Sequence, residues 1–503
     1  MKQYSITVLP AQKTLSADEG TVLLHILRDA GFHPDAPCGG RGTCGKCTVM
    51  VDGQAALACR YVVDRDITVT IPETAKHHIL TTGSSQHIVP DRTHRYVLAV
   101  DIGTTTVVVF LLDGRSGYQL AEASMLNPQT QYGADVISRI SHAIQEGGDT
   151  LKNCIRDCLH SLTVQVCEKA GISPDEITAA AIVGNTAMHH LLLGIDPTSL
   201  TKPPYMPKVR SSMTLPAQEL LPISKNGIVR ILPNIAGFVG ADTVGCMAAA
   251  DFDRLTKLTL MIDIGTNGEM VLADADRRIT CSTAAGPAFE GAKIFCGMRG
   301  AEGAIDKVTA ENGALHCSVI GGGSACGICG SGLLDAVAAL LKAGMVSKSG
   351  RMAKGSFDPS LWTAVGNCAA VHLRDDVVLT QKDIREVQLA KSAIRAGIEL
   401  MLKQFGRRAE DIETVYLAGA FGNFLRPSSA CAIGMIPPVL LDRIIPIGNA
   451  AGEGAKMSAL SQNEFERAAQ LADGTQYLEL ASLPEFQNCY VDYLSFEEDD
   501  EDG

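Results

Sequence analysis

The sequence is short of several things, and each shortage removes a class of protein. It has no run of about 20 uninterrupted apolar residues, so a membrane-crossing helix is not expected. It is short of positive charge: 43 Lys and Arg stand against 56 Asp and Glu, a net charge of −13. Nucleic acid and anionic membrane surfaces both need a basic footprint, so neither is expected as a partner. The opening residues, MKQYSITVLPAQKTL, lack an apolar h-region and a cleavage site. No secretory leader is expected, and a cytoplasmic location follows. Thiols stay reduced there, so the sixteen cysteines read as ligands or small buried hydrophobes rather than a disulfide framework. Tryptophan is limited to Trp362, which reads as packing. What the chain does have is length: 503 residues, 46% hydrophobic, enough for roughly three domains. Its last residues, FEEDDEDG, read as a solvated acidic end.

Periodicity organises the rest. Residues 2 to 9 alternate as a strand. TVLLHILRDAG reads as a short helix stopped by Gly31. CTVMV and DITVTI are further strands, which makes residues 1–72 a small α+β module. The polar stretch 73–95 reads as a linker. From Tyr96 the pattern changes to strand, Gly-Thr turn and a second strand apolar almost throughout, as in a sheet covered on both faces. A helix is expected at 149–170, with Leu151, Ile155, Leu159, Leu162 and Val166 as its stripe. A longer one is expected at 381–406, capped by Thr380 with Asp383 and stopped by Gly406. The strand TVYLAGAFGNF should follow. The unit beginning Asp101-Ile-Gly-Thr recurs at Asp263, which points to an internal duplication and two facing lobes, 96–250 and 251–503.

PCGGRGTCGKCTVMVDGQAALACR, residues 37 to 60, spaces Cys38, Cys44, Cys47 and Cys59 as C-x5-C-x2-C-x11-C. Four thiolates are what a 2Fe-2S centre takes. The glycines among them permit the positive φ that a loop curling round a cluster demands. Structural zinc is the competing reading. Zinc ribbons present two C-x2-C knuckles, and here only Cys44 and Cys47 form one. The spacing is similar to the plant-type pattern, and the module resembles a ferredoxin of β-grasp fold.

A Gly-Thr turn between strands turns backbone N–H groups toward anionic oxygens. Thr104, Thr105 and Thr266 add hydroxyl donors. Asp101 and Asp263 end the preceding strands and could hold Mg2+ through water, since that ion keeps much of its hydration shell. Asp242 in GFVGADTVG and Glu290 in GPAFEGA are carboxylates in glycine-rich settings that could orient an attacking water or serve as turn residues. His189 and His190 read as structural or as supporting neighbours of the site rather than catalytic. Cys154 and Cys158 read as buried thiols, and Cys326 with Cys329 as a turn opening a helix.

With two such turns, a third glycine turn LAGAFGN (417 to 423) and VGNTAMHHLLLG (183 to 194) in one chain, residues 96 to about 472 resemble the superfamily of actin, sugar kinases and heat-shock chaperones. The resemblance implies an α/β two-lobed ATPase. Asp101, Gly103, Thr104 and Thr105 would form its first phosphate loop, and Asp263, Gly265, Thr266 and Asn267 its second. Gly419, Ala420 and Gly422 would lie in the adenosine loop. Placed behind a ferredoxin, this resembles the ATP-dependent reductive activators of corrinoid proteins. AAGPAFEGAKIFCGMRGAEGAID, GICGSGLLDAV and LAGAFGNFL are similar to that family's stretches. Its members usually carry a further domain where this chain has only 73–95.

The resemblance implies a 2Fe-2S cluster, ATP and Mg2+ as cofactors. It implies a corrinoid protein of a methyltransferase system and a low-potential electron donor as partners, and it leaves room for a homodimer. The expected reaction is return of Co(II) to Co(I). The alternatives are an activator of the 2-hydroxyacyl-CoA dehydratase type, a small-molecule kinase with a fused redox domain, and a nucleotide-sensing adaptor.

Overall fold

The computed structural model describes residues 2–32, 34, 36, 40, 42, 47–71, 88–311, 314–353 and 359–496. Alternation makes QYSITVL a strand, β1 (Gln3–Leu9), that buries Tyr4, Ile6 and Val8. Strand β2 (Lys13–Asp18) returns antiparallel to it. Helix α1 (Leu23–Asp29) follows, and just beyond it Gly31 takes φ +88°. Strands β3 (Thr48–Val51), β4 (Gln54–Leu57) and β5 (Ile67–Thr70) complete a sheet of order β2-β1-β5-β3-β4. Leu23, Leu24 and Leu27 of α1 pack with Ile6, Val8, Val49 and Val69. This is the β-grasp arrangement. The sequence reading missed β2 and β4 because both are edge strands with mostly exposed residues, so they carry little apolar alternation.

The stretch read as a linker divides. Residues 72–87 lie outside the described residues, whereas 88–95 are laid against the second unit. The Asp91 amide donates to the Leu460 carbonyl at 3.0 Å. Its carboxylate accepts from the Ser461 hydroxyl at 3.0 Å and from the Gln462 amide at 2.5 Å.

The second unit begins with β6 (Tyr96–Ile102), β7 (Thr106–Asp113) and β8 (Gln119–Leu126), then α2 (Val136–Glu146) and α3 (Asp149–Ala170). Next come β9 (Ile177–Gly184), α4 (Thr186–Leu193), β10 (Met213–Pro216), β11 (Ile228–Ile231) and α5 (Ala241–Ala249). The sheet order is β10-β11-β9-β6-β7-β8. All five stripe residues expected for α3 are buried. Burial also pushes the thiol of Cys154 up to about 11 and that of Cys158 to about 12, so both stay inert.

A second sheet repeats the plan. Strands β12 (Thr259–Ile264), β13 (Gly268–Ala273) and β14 (Arg278–Thr283) form the meander. A satellite follows: β15 (Ala304–Glu311), β16 (Ala314–Val319), β17 (Gly327–Ile328), α6 (Gly330–Lys342), β18 (Trp362–Val365), β19 (Cys368–Arg374) and β20 (Val377–Thr380). Helix α7 (Gln381–Phe405) carries the expected capping box of Thr380 and Asp383 and ends at Gly406, φ +67°. Strand β21 (Thr414–Ala418), α8 (Gly419–Phe424), α9 (Pro427–Ala432), β22 (Ile444–Gly448), α10 (Ala450–Leu460), α11 (Gln462–Asp473), β23 (Gln476–Tyr477) and α12 (Phe486–Asp492) complete the chain. The order is β22-β21-β12-β13-β14-β23. In both sheets an antiparallel hairpin has a parallel strand on its outer side, β9 beside β6 and β21 beside β12. The duplication read from the repeated motif is therefore structural.

Two expectations need correction. TVYLAGAFGNF is not one strand, and its glycines do not form a simple turn. The strand ends at Ala418 and α8 begins at Gly419, which adopts φ +82°. A side chain there would strike the Asp263 carboxylate, a constraint that nothing local reveals. In addition, α10 follows β22 of the second sheet but packs on β6 and β9 of the first. A Cβ on Gly454 would collide with the Gly245 backbone of α5, so the two helices meet at glycine contact distance. Helices α5, α10 and α11 thus share one core with both sheets.

Candidate functional site

Two sites carry chemistry. In the β-grasp unit, Cys47 precedes β3 and Cys59 follows β4; Cys47 is 1% and Cys59 8% exposed. Their sulfurs lie 3.2 Å apart. The Ala58 amide donates to the Cys47 carbonyl at 2.9 Å, and the Leu24 amide of α1 donates to the Ala58 carbonyl at 3.0 Å, which fixes the pair against the helix. Gly40 and Gly42 adopt φ +84° and +73°. A Cβ on Gly40 would press on Leu24 at 3.2 Å, and one on Gly42 would land on the Arg60 guanidinium. Convergent buried sulfurs beneath a glycine loop without room for side chains fit an iron–sulfur cluster. Cys38 and Cys44 lie outside the described residues.

The larger site is built where the two hairpins meet. Asp101 closes β6 and Asp263 closes β12, each just before its turn. Asp242 enters from the first turn of α5. Glu269 on β13 faces Asp263 directly across the β12–β13 ladder. Burial is the largest cause of every carboxylate shift here. It raises Asp101 to about 7, helped by Asp242 and opposed by a hydrogen bond from Asn449. It raises Asp263 to about 7, helped by Asp242 and Asp101. It raises Asp242 to about 6 against a 2.8 Å bond from the Thr243 amide. Glu269 is pushed well above its ordinary range by burial and by Asp242 and Asp263. Such a cluster of mutually repelling carboxylates is the donor chemistry that suits a divalent cation. Among the described residues no group of three or more His, Cys, Asp or Glu is placed to hold an ion directly.

The first turn is held firmly. The Gly103 amide donates to the Thr106 carbonyl at 2.9 Å, and the Asn127 carboxamide donates to the Gly103 carbonyl at 2.8 Å. Asn185, which caps α4, donates to the Thr104 hydroxyl at 2.8 Å. Arg139, fully buried on α2, donates to the Thr104 carbonyl and, at 2.9 Å, to the Gly133 carbonyl. The second turn closes with the Gly265 amide on the Asn267 carbonyl at 2.8 Å. Glu290 joins the turns, accepting from Thr105 Oγ1 at 2.7 Å and from Thr266 Oγ1. Gly419, Ala420 and Gly422 fall in α8, where Gly419 lies against Asp263. There Phe421 stacks on Phe289 at 4.9 Å between centroids.

Apart from Glu290, which bridges the turns, and Gly422, whose packing is on Leu417, the cleft residues named from the sequence lie on the two turns, on the carboxylate cluster or at the start of α8. The sequence reading missed Glu269, Asn127, Arg139 and Asn449. Glu269 left one signal, a charge in a strand whose later residues are all buried. The His pair is held by hydrogen bonds within its own lobe. His190 donates from Nδ1 to the Thr186 carbonyl at 2.7 Å and accepts from the Lys208 amide at 3.1 Å, and His189 meets Asn234. Cys329 is the N-cap position of α6, while Cys326 is exposed.

Fold and sites together define a 2Fe-2S ferredoxin fused to an actin-like ATPase. Comparison with known proteins agrees. Residues 6–66 match the 2Fe-2S iron-sulfur cluster binding domain, 96–255 the RACo middle region, and 257–502 the C-terminal domain of RACo, the ASKHA domain. The corrinoid activation enzyme RamQ of Eubacterium limosum is 38% identical over 414 residues, 79% of this chain and 69% of that protein. The [Co(II) methylated amine-specific corrinoid protein] reductase of Methanosarcina barkeri is 26% identical, over 80% of this chain and 77% of its own. A solved structure, a reductive activator for a corrinoid, iron-sulfur protein, aligns with TM-score 0.74 and 29% identity over 98% of both chains. The chain belongs to the family of corrinoid activation enzymes. Among the described residues no helix is long and apolar enough to cross a membrane.

Proposed function

We propose that this chain couples ATP to the reduction of a corrinoid protein, one electron returning Co(II) to Co(I) so that methyl transfer can resume. The observation that carries the reading is the presence in one chain of a convergent buried thiol pair and a two-lobed cleft joined through Glu290. The cluster supplies the electron and ATP the free energy, which is needed because each ~59 mV of unfavourable one-electron gap is a tenfold handicap.

In this reading Cys38, Cys44, Cys47 and Cys59 hold the cluster. The turns at Gly103–Thr105 and Gly265–Asn267 hold the phosphates. Asp101 and Asp263 anchor Mg2+ through its water shell, and Asp242 and Glu290 orient the attacking water. Gly419, Ala420 and Gly422 border the adenosine. Nucleotide shifts the redox equilibrium only by binding two states of the protein differently. A joint between lobes that shares one core is where such states would differ. The partners are a corrinoid protein and a low-potential donor, in the reducing cytoplasm.

The test is direct. The protein is reduced anaerobically and mixed with a Co(II) corrinoid protein, and visible spectra are followed with and without MgATP. Co(I) should form rapidly only with nucleotide, and Cys47→Ala should abolish it while nucleotide still binds. Equal rates without nucleotide would sink the proposal.

A further inference from the structure

Glu290 makes an unusual contact. It is a carboxylate of the second lobe that accepts hydrogen bonds from a hydroxyl of each phosphate turn, Thr105 at 2.7 Å in the first lobe and Thr266 in its own. A threonine hydroxyl has a single proton to donate. If Thr105 and Thr266 give theirs to Glu290, neither can give it to a phosphate oxygen. Glu290 therefore holds the position and the donors that a terminal phosphate needs, and it carries the same sign of charge.

The surroundings reinforce this. Arg139 lies fully buried behind the first turn, and Glu290, then Asp135, are the acids whose fields act on it most strongly, opposed by Arg299. Its other contacts are the Thr104 and Gly133 carbonyls and the Met188 sulfur at 3.5 Å. Arg139 thus stands in the field of a carboxylate that a phosphate of the same sign of charge would replace. The remaining acids, Asp101, Asp242, Asp263 and Glu269, form the buried cluster beside the turns and add to the repulsion of an anion that arrives without its cation.

We propose that Glu290 is a phosphate-mimicking latch: it pins the two turns together and yields Thr105 and Thr266 only to a nucleotide whose terminal phosphate reaches both. The displaced carboxylate is then free to orient water, so the latch deepens the ATPase reading, on which it rests. It also makes Glu290 the residue that separates triphosphate from diphosphate. A diphosphate that stops short of the two hydroxyls leaves the latch closed.

The test is binding. The affinities of whole, cluster-loaded wild type and Glu290→Gln for MgAMPPNP and MgADP are measured by calorimetry. The isosteric amide removes the charge and one acceptor, so MgAMPPNP should bind about tenfold tighter, the worth of a charge-assisted hydrogen bond, and MgADP within about twofold of wild type. Glu290→Asp keeps the charge but draws it back, and should give an intermediate gain for the triphosphate. Unchanged or weaker MgAMPPNP binding in both variants would overturn the latch, and so would an equal gain for MgADP. Neither measurement uses a corrinoid protein. If the wild type makes no Co(I) while the affinities behave as stated, the redox reading falls and the latch stands.

Discussion

The two Asp-Ile-Gly-Thr turns have the same sequence and different supports. Behind the first stand Asn127, Arg139 and Asn185, which hold its carbonyls and one hydroxyl from three separate elements. A Cβ on Gly103 would meet the Thr106 carbonyl at 2.8 Å. Around the second the packing is looser, and the nearest atom to a Cβ on Gly265 is the Asn267 carbonyl at 3.8 Å. The strands differ too: Val108 faces Asp101, where Glu269 faces Asp263. Like charges opposed on a ladder cost stability. The duplicated motif has thus become a preorganised turn on one lobe and a looser, acid-rich one on the other. The second is the half with more freedom to respond to a ligand.

The largest effect should come from Arg139→Met. It leaves the Thr104 and Gly133 carbonyls without their buried charge-assisted donor, at about 2–4 kcal/mol. Denaturant unfolding should read that loss, and a change below about 1 kcal/mol would show that the first turn is not held as described. Next is a matched pair: Gly103→Ala should cost about 1–3 kcal/mol by overpacking, whereas Gly265→Ala should stay within about 0.5 kcal/mol. Equal melting shifts would erase the contrast between the turns. Asn127→Ala, which loses the bond to Gly103 and the cap of the following turn, should cost about 1–2 kcal/mol by calorimetry.

The smallest effect is in pH. Ordinary carboxylates titrate near 4, but Asp101 and Asp263 are raised to about 7 and Asp242 to about 6. Between those values the folded protein holds protons that the unfolded chain has released. Their contribution therefore favours folding at low pH and is lost as pH rises through about 7. Asp263→Asn, which also relieves Glu269, should flatten the fall of Tm between about pH 4 and 7 more than Asp101→Asn does. The reverse order would mean that the acid opposite Asp263 is not the source of strain.

Much of this was legible beforehand, and the legible parts share a cause. Helices α3 and α7 were read nearly to the residue because their stripes, the Thr380–Asp383 box and the stop at Gly406 are all local. The turns were legible because the motif occurs twice. Glu269 was passed over because its meaning depends on ladder register, and Arg139 because a buried arginine on an amphipathic helix looks like a solvated one until the turn it supports is placed.

By itself the sequence determined the order of the units, the clustered cysteines and the paired turns, since those are set by residue spacing along the chain and by backbone freedom at glycine. Only the tertiary structure decided which groups meet. It set α10 on the sheet opposite to its own, drew Gly419 against Asp263, gathered four carboxylates into one buried cluster and laid Glu290 across both turns. The reason is physical: burial, field and hydrogen-bond competition act through space, and residues 185 positions apart, Thr105 and Glu290, acquire a shared proton only when two lobes pack around one core.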